Sequence, residues 1–375
     1  MKCICSQKDL QDALLAASKA LPGGNTQTPV LRGIYFLTTS NILELHSTDF
    51  STGVVARIPA EIESQGSFLV NGKDVNEMIR SLSGGDIVTL SNEEDSNIVT
   101  IKCDATTFSI YTIDSAEDFP RVTTQEYTHS FYIKNKTLKK LILNSIFACA
   151  DEKEGRPVFQ GCSISINGEE ITFVATNTHR LIVAKGLLED AFPEEISLIV
   201  PSDALADVLA ILNSIRDERG VKIDFSDKHI AFTINNMFVT CRLIDGTFPQ
   251  HNQVIPESCQ TFANISISEL RPAINHVAII AGKTDYNMVI FSFSNEGLEL
   301  RAESYATGKA VEHLNAEVTG PDVEIAFNLE YVQDFLRNAA STDILQIGMN
   351  DKLSPTEFRL ADDDSMIYIV TPIRV

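Results

Sequence analysis

The chain has 375 residues, with 30 Lys+Arg against 51 Asp+Glu, a formal net charge of −21, and 44% hydrophobic residues. At about 150 residues per domain, that is two or three domains of ordinary globular composition, not a disordered acidic chain. The acidic balance argues against a protein that grips DNA grooves or an anionic membrane, since both tasks need a basic excess.

Residues 1–9 contain no apolar signal core, and no stretch reaches about 18 consecutive apolar residues. A cytoplasmic protein with no membrane span is expected. Cys3, Cys5, Cys103, Cys149, Cys162, Cys241 and Cys259 are scattered, with no C-x-x-C pair, and read as reduced structural thiols.

Hydrophobic periodicity then predicts the elements. Leu10, Leu14, Ala17 and Leu21 form one stripe of a helix over 6–21. Strands follow at 31–37, 42–47 and 53–58, a second helix at 73–82, and strands at 87–91, 98–103 and 107–112. A helix over 135–150, with Leu138, Leu141, Ile142 and Ile146 on its stripe, opens a second series. It continues with strands at 158–166, 170–175 and 180–185, a helix at 203–215, and strands at 221–225, 229–234 and 238–243. The third series begins with a helix over 266–281 on Leu270, Ile274, Val277 and Ala281. Strands at 288–293, 298–302 and 308–314, a helix at 330–340, and strands at 344–349, 357–360 and 366–371 complete it. Asn, Ser and Asp near the second helix of each series are plausible caps.

The order helix, strands, helix, strands thus occurs three times over about 125 residues. Leu10, Leu138 and Leu270 lie 128 and 132 residues apart, and Asp118-Phe119-Pro120 is echoed by Thr247-Phe248-Pro249. The expected fold class is α+β, three tandem similar domains (1–126, 127–255 and 256–375), each with two helices packed on antiparallel sheets. By domain the net charge is −8, −3 and −10. Lys134, Lys136, Lys139 and Lys140 crowd the start of one helix, and Arg80, Arg216, Arg219, Arg271 and Arg337 lie on or beside others. Many acids fall in turns, as in Glu93-Glu94-Asp95 and Asp362-Asp363-Asp364. These cations are either a solvated helix face or one basic surface on an acidic molecule.

Catalytic patterns are sparse. Ala281-Gly282-Lys283-Thr284 lacks the earlier glycine of a phosphate loop and ends a helix where such a loop opens one. Asp151 and Glu152, with His179, are the best candidates for hydrolysis, but the same acids suit a solvated loop. No catalytic residue, cofactor or metal site is expected. Two segments stand out: the polar turn Ala175-Thr176-Asn177-Thr178-His179-Arg180-Leu181 between apolar strands, and the apolar Tyr368-Ile369-Val370-Thr371-Pro372-Ile373-Arg374-Val375. The first is a hairpin connection or a groove wall; the second is an edge strand or the opposite wall.

These segments are similar to A-T-D-G-H-R-L and Y-V-V-M-P-M-R-L of the bacterial sliding clamp, the DNA polymerase III beta subunit family. Thr28-Pro29-Val30-Leu31 with Thr48-Asp49, and Gly246-Thr247-Phe248-Pro249, resemble that family's P-I-L…A-T-D and G-x-F-P segments. The resemblance spans essentially the whole chain. It implies a non-enzymatic, head-to-tail homodimeric ring that encircles duplex DNA and tethers a polymerase for processive synthesis. Lys134, Lys136, Lys139, Lys140, Arg80, Arg216, Arg271 and Arg337 would face DNA. Phe108 and Ile280 would lie at the dimer interface. A groove would take a short linear motif from the polymerase III alpha subunit, the clamp loader and other clamp-binding proteins. Matching groove positions are Phe159, Thr176, Thr178, His179, Arg180, Leu181, Pro249, Val254, Asn328, Tyr331, Ser354, Ile369, Val370, Pro372, Ile373 and Arg374. Aliphatic walls would bury the motif's Leu and Phe, while Thr, Arg and Asn orient its backbone. Asn177-Thr178 stands where the family has Asp-Gly, and Thr371, Ile373 and Val375 where it has Met, Met and Leu. Asn25 stands where some members have Arg, and Glu303 to Gly308 is only weakly acidic. A peptide-binding scaffold of the same fold that does not encircle DNA is the alternative reading.

Overall fold

In chain order, the computed structural model begins with β1 (Lys2–Ser6), α1 (Gln7–Ala17), β2 (Gly33–Thr39), β3 (Ile42–Thr48), β4 (Thr52–Ser64), β5 (Ser67–Asn71), α2 (Gly72–Ser81), β6 (Ile87–Asn92), β7 (Ile98–Cys103) and β8 (Thr106–Tyr111). The middle third holds β9 (His129–Ile133), α3 (Asn135–Leu143), β10 (Gly161–Thr176), β11 (Arg180–Pro201), α4 (Ser202–Ser214), β12 (Val221–Phe225), β13 (His229–Ile234) and β14 (Met237–Arg242). The last third holds β15 (Thr261–Ser266), α5 (Ile267–Ala281), β16 (Met288–Ser294), β17 (Gly297–Ser304), β18 (Gly308–Leu314), β19 (Glu317–Thr319), β20 (Val323–Asn328), α6 (Leu329–Asn338), β21 (Ile344–Met349), β22 (Thr356–Leu360) and β23 (Asp363–Val370). The structure describes all residues except 25, 83–85, 94–95, 114–115, 123–124, 154, 216–219 and 375.

Each third therefore begins with a short strand that runs straight into its first helix. The hydrophobic pattern hides that strand, because five or six residues alternate too briefly to separate from the helix stripe. The helix starts follow from side-chain capping. Ser6 Oγ accepts from Asp9 N at 3.3 Å, Asn71 Oδ1 from Lys73 N and Asp74 N at 3.0 and 3.2 Å, and Asn328 Oδ1 from Glu330 N at 2.9 Å. The predicted stripes are the buried faces: Leu10, Leu14 and Ala17 on α1, and Leu270, Ile274, Val277 and Ala281 on α5. Burying a Leu or Ile side chain contributes about 1.5–3 kcal/mol.

Several elements depart from expectation for local reasons. α3 ends at Leu143 rather than near residue 150. Ser145 Oγ donates to Leu141 O at 2.7 Å, and the chain tightens into a 3-10 turn, Ile146–Ala148. β10 and β11 run through segments that read as turns. Gly168, at φ 60, interrupts the alternation, and the ladder shifts register on either side of it before resuming at Glu170↔Leu187. Asp363, expected in an acidic turn, opens β23.

The chain divides into two compact units, residues 1–136 with 203–243, and 137–202 with 244–375. The first contains a 12-stranded sheet in the order β8-β7-β6-β1-β4-β14-β13-β12-β9, with β2, β3 and β5 branching from β4. Its join is β14 on β4, with Phe238↔Val55 and Val239↔Val54. The second holds a 7-stranded sheet, β10-β11-β23-β22-β21-β15-β19, and a 4-stranded sheet, β18-β17-β16-β20. There β23 lies on β11, with Leu181↔Ile369 and Val183↔Ile367. A run of buried rings fills that core: Phe335 stacks on Tyr368 at 5.2 Å, and Phe327 meets Phe358 edge-on at 5.8 Å. All seven cysteines are free thiols and six are buried. Burial pushes Cys3 up to about 11 and Cys241 up to about 12, so both stay protonated and unreactive at neutral pH.

Candidate functional site

The reversal between β10 and β11 is built by its own side chains. Asn177 Oδ1 accepts from His179 N and Arg180 N, both at 3.1 Å. Thr176 Oγ1 donates to Arg180 O at 2.6 Å and accepts from Thr178 N at 3.1 Å. This Asx-type turn requires a left-handed residue at its tip, and Thr178 occupies it at φ 78. A β-branched residue is strained there, and a glycine would not be.

Behind the turn, Arg180 Nη1 donates to Asp334 Oδ2 at 2.5 Å, with both side chains 10% exposed. Its guanidinium lies 4.7 Å from the Tyr331 ring centroid and 5.9 Å from that of Phe147. Arg337 Nη1 reaches the other Asp334 oxygen at 2.6 Å. Tyr368 Oη donates to Tyr331 O at 3.0 Å, and burial pushes its phenol far up, so it stays protonated. This cluster locks the turn onto α6.

Residues 371–374 continue past β23 and are pinned at two points. Thr371 N and Oγ1 both donate to His179 O, at 2.9 and 2.8 Å, and Ile373 N donates to Ala326 O at 2.7 Å. Two cavities flank this segment, and Thr371 belongs to both. The smaller, about 170 Å3, has an apolar wall of Phe159, Leu181, Pro249, Val254 and Ile369, with Thr176, Thr178 and Arg180 at its rim. The larger, about 680 Å3, is bounded by His179, Asn328, Tyr331, Pro372, Ile373 and Arg374.

Fourteen of the sixteen groove positions thus come together. The other two have different roles. Val370 is wholly buried because strand alternation turns it into the core. Ser354 Oγ donates to Asp351 Oδ2 at 2.8 Å, while its neighbours Leu353 and Pro355 line the larger cavity. Arg180 is a structural ion-pair partner as much as a wall residue. Phe248, Gln250, His251, Tyr286 and Thr371 complete the walls without having been among the groove positions. Phe248 packs edge-on against Phe159 at 6.1 Å. Burial, and then Lys185, push His251 down, so it lines the cavity as a neutral imidazole at pH 7.

The cations have unequal roles. Lys134, Lys136 and Arg80 are exposed, and Lys139 is half-buried. Lys140 Nζ pairs with Asp363 at 2.7 Å and also reaches Ser365 Oγ at 3.1 Å. Arg271 caps the end of α6, donating to Leu336 O and Ala339 O at 2.8 and 2.7 Å. Arg337 is held by Asp334 with its side chain 68% exposed. Arg216 lies outside the described residues, as do Arg219, Asn25 and Val375. Phe108 is half-buried on β8, an edge strand of its sheet, and Ile280 half-buried in the last turn of α5, beside the exposed Ile279. Among the described residues there is no metal-binding cluster of His, Cys, Asp or Glu, and no helix long and apolar enough to cross a membrane.

Family models for the N-terminal, central and C-terminal domains of the DNA polymerase III beta subunit match residues 1–123, 132–250 and 252–374. The beta sliding clamp of Synechocystis is 27% identical over 394 residues, covering 100% of both chains. That of Vibrio cholerae is 26% identical over 354 residues, covering 94% of each. The crystal structure of the Thermotoga maritima DNA polymerase III beta subunit superposes with a TM-score of 0.92 at 27% identity, covering 100% of this chain and 99% of that one. The Bacillus subtilis DNA polymerase sliding clamp superposes at 0.90 with 22% identity, a likeness of fold.

Proposed function

The chain belongs to the bacterial DNA polymerase III beta subunit family, and on that premise we propose that it is a sliding clamp. It closes as a homodimeric ring around duplex DNA and tethers the replicative polymerase for processive synthesis, with no chemistry of its own. The observation that carries the reading is the pair of cavities that share Thr371, one of them apolar-walled, set against a turn and a chain segment anchored by backbone hydrogen bonds. A shape of this kind holds an extended peptide: apolar side chains enter the cavities while polar rim groups meet its backbone.

The three domains of the clamp are 1–126, 127–255 and 256–375. The edge strands β8 and β18 each leave one side of a sheet unpaired, and exposed Tyr305 and Ile279 lie near the second edge. Pairing of β8 with β18 of the other protomer would cover both edges and bury Phe108 and Ile280. Lys134, Lys136, Lys139, Arg80 and Arg337 meet phosphates through water and mobile ions, in a molecule whose net charge of −21 prevents tight adhesion. Retention on DNA is topological, so a modest electrostatic attraction suffices. The groove receives the polymerase III alpha subunit, the clamp loader and other proteins carrying the clamp-binding motif, in the cytoplasm. Sedimentation equilibrium tests the assembly. The reading expects twice the 41.3 kDa chain mass at micromolar concentration, and a monomer would refute it.

A further inference from the structure

Asp207 and Asp334 hold the same place in the chain's repeat, each the sixth residue of its helix, α4 and α6. Each also faces a turn of one design. In the groove turn, Thr176 Oγ1 donates to Arg180 O, and Asn177 Oδ1 accepts from His179 N and Arg180 N. In the turn between β3 and β4, Thr48 Oγ1 donates to Thr52 O at 2.7 Å, and Asp49 Oδ1 accepts from Ser51 N and Thr52 N at 2.9 and 2.7 Å. Thr52 therefore stands where the groove turn has Arg180, and Asp49 where it has Asn177. On the helix, Ala210 stands where α6 has Arg337.

The two carboxylates are consequently held in opposite ways. Asp334 takes Arg180 on one oxygen at 2.5 Å and Arg337 on the other at 2.6 Å. Asp207 has Lys19, at 3.7 Å, from the 3-10 turn Ser18–Ala20 that follows α1, with the two side chains 24% and 31% exposed. The charged groups that face Asp207 are Lys19, Asp203 from α4 itself and Asp49 from the β3–β4 turn. One distant cation is thus set against two carboxylates. Burial, then the charges of Asp203 and Asp49, push Asp207 up to about 6 against the pull of Lys19.

We propose that the contact between α4 and the Ser18–Ala20 turn is a proton-controlled joint, tight when Asp207 is neutral and loose when it is charged, while the matching contact of α6 with the groove turn stays locked. A neutral Asp207 relieves the repulsion from Asp49 and Asp203 and the cost of a half-buried charge, and forgoes only a long pair with Lys19. The group's folded value lies above its unfolded one. Its stabilising effect is therefore present in mild acid and lost as pH rises through about 6. The joint is soft at neutral pH, and α4 opens locally more easily than α6. None of these residues lines the groove, so the joint works whatever the groove binds.

The test is amide hydrogen exchange on the full chain at pH 5 and pH 8, with each protection factor corrected for the intrinsic rate. Protection across α4 should be about tenfold higher at pH 5 than at pH 8, and protection across α6 should not follow it. Asp207→Asn should hold α4 at its pH 5 level at both values. Asp49→Asn keeps the turn's bonds, as Asn177 does in the groove turn, and should raise α4 protection at pH 8. Lys19→Met should lower protection at pH 8 and leave it unchanged at pH 5. Equal α4 protection at both values, a pH response that survives in Asp207→Asn, no effect of Asp49→Asn, or an α6 response matching that of α4 would each overturn the proposal.

Discussion

Thr178→Gly is a sharp perturbation, because it changes one backbone preference and little else. Thr178 sits at φ 78 with its side chain outside the turn's hydrogen bonds. A left-handed L-residue costs about 1–2 kcal/mol. Glycine removes that cost but gives the unfolded chain more freedom, worth about 0.5–1 kcal/mol. The net expectation is a gain of about 0.5–1 kcal/mol. Phe50→Gly, at φ 75 in the similar turn between β3 and β4, should give a gain of the same sign. Urea denaturation followed by circular dichroism measures both, and the midpoint should rise with an unchanged slope. Removing the Thr178 side chain also widens the rim of the smaller cavity, so motif-peptide affinity should change for Thr178→Gly and not for Phe50→Gly. A midpoint that falls for both variants would refute the strain argument.

Asp334→Ala leaves Arg180 charged and about 10% exposed without its carboxylate, and should cost about 3–5 kcal/mol in a denaturant midpoint. Replacing both, as Arg180→Met with Asp334→Leu, should cost far less. Deleting residues 371–375 should abolish binding of a polymerase motif peptide in anisotropy while sedimentation still reports the dimer. Burial, only partly offset by Lys19, raises Asp207 from 3.8 to about 6. The folded state therefore holds that proton more tightly, and stability from this group falls as pH rises through that window. Asp207→Asn should stabilise the protein by about 2 kcal/mol at pH 8, and the gain should shrink as pH falls towards 4 and vanish by about pH 3. A gain larger at pH 4 than at pH 8 would reverse the assignment.

The helices were legible because α1 and α5 each present a continuous stripe to a sheet, and periodicity reports that directly. The end of α3 was not, since it depends on a single hydroxyl, that of Ser145, competing for the helix carbonyls. The unbroken β10 and β11 were hidden by a glycine that bulges the ladder without ending it. At the groove, the contiguous segments around Thr176 and Ile369 carried recognisable residues. Phe248, Tyr286 and Leu353 come from separate segments and join the walls only through tertiary packing. Arg180 read as a groove residue and Arg271 as a helix-face cation, because sequence shows charge and not its partner. The fold brings a carboxylate to one and helix-end carbonyls to the other. The turn after Thr48 shares its Thr-Asx start with the groove turn, and the Thr48 and Asp49 side chains repeat the bonds that Thr176 and Asn177 make to the backbone, a likeness that composition does not reveal.

Retention on circular DNA tests the central claim most directly. The protein is loaded onto a nicked circular plasmid with its clamp loader and isolated by gel filtration, and the plasmid is then cut once. The account predicts that the protein co-elutes with the circle in high salt and is lost within minutes of linearisation. Retention on the linear product, or release from the intact circle in high salt, would contradict it.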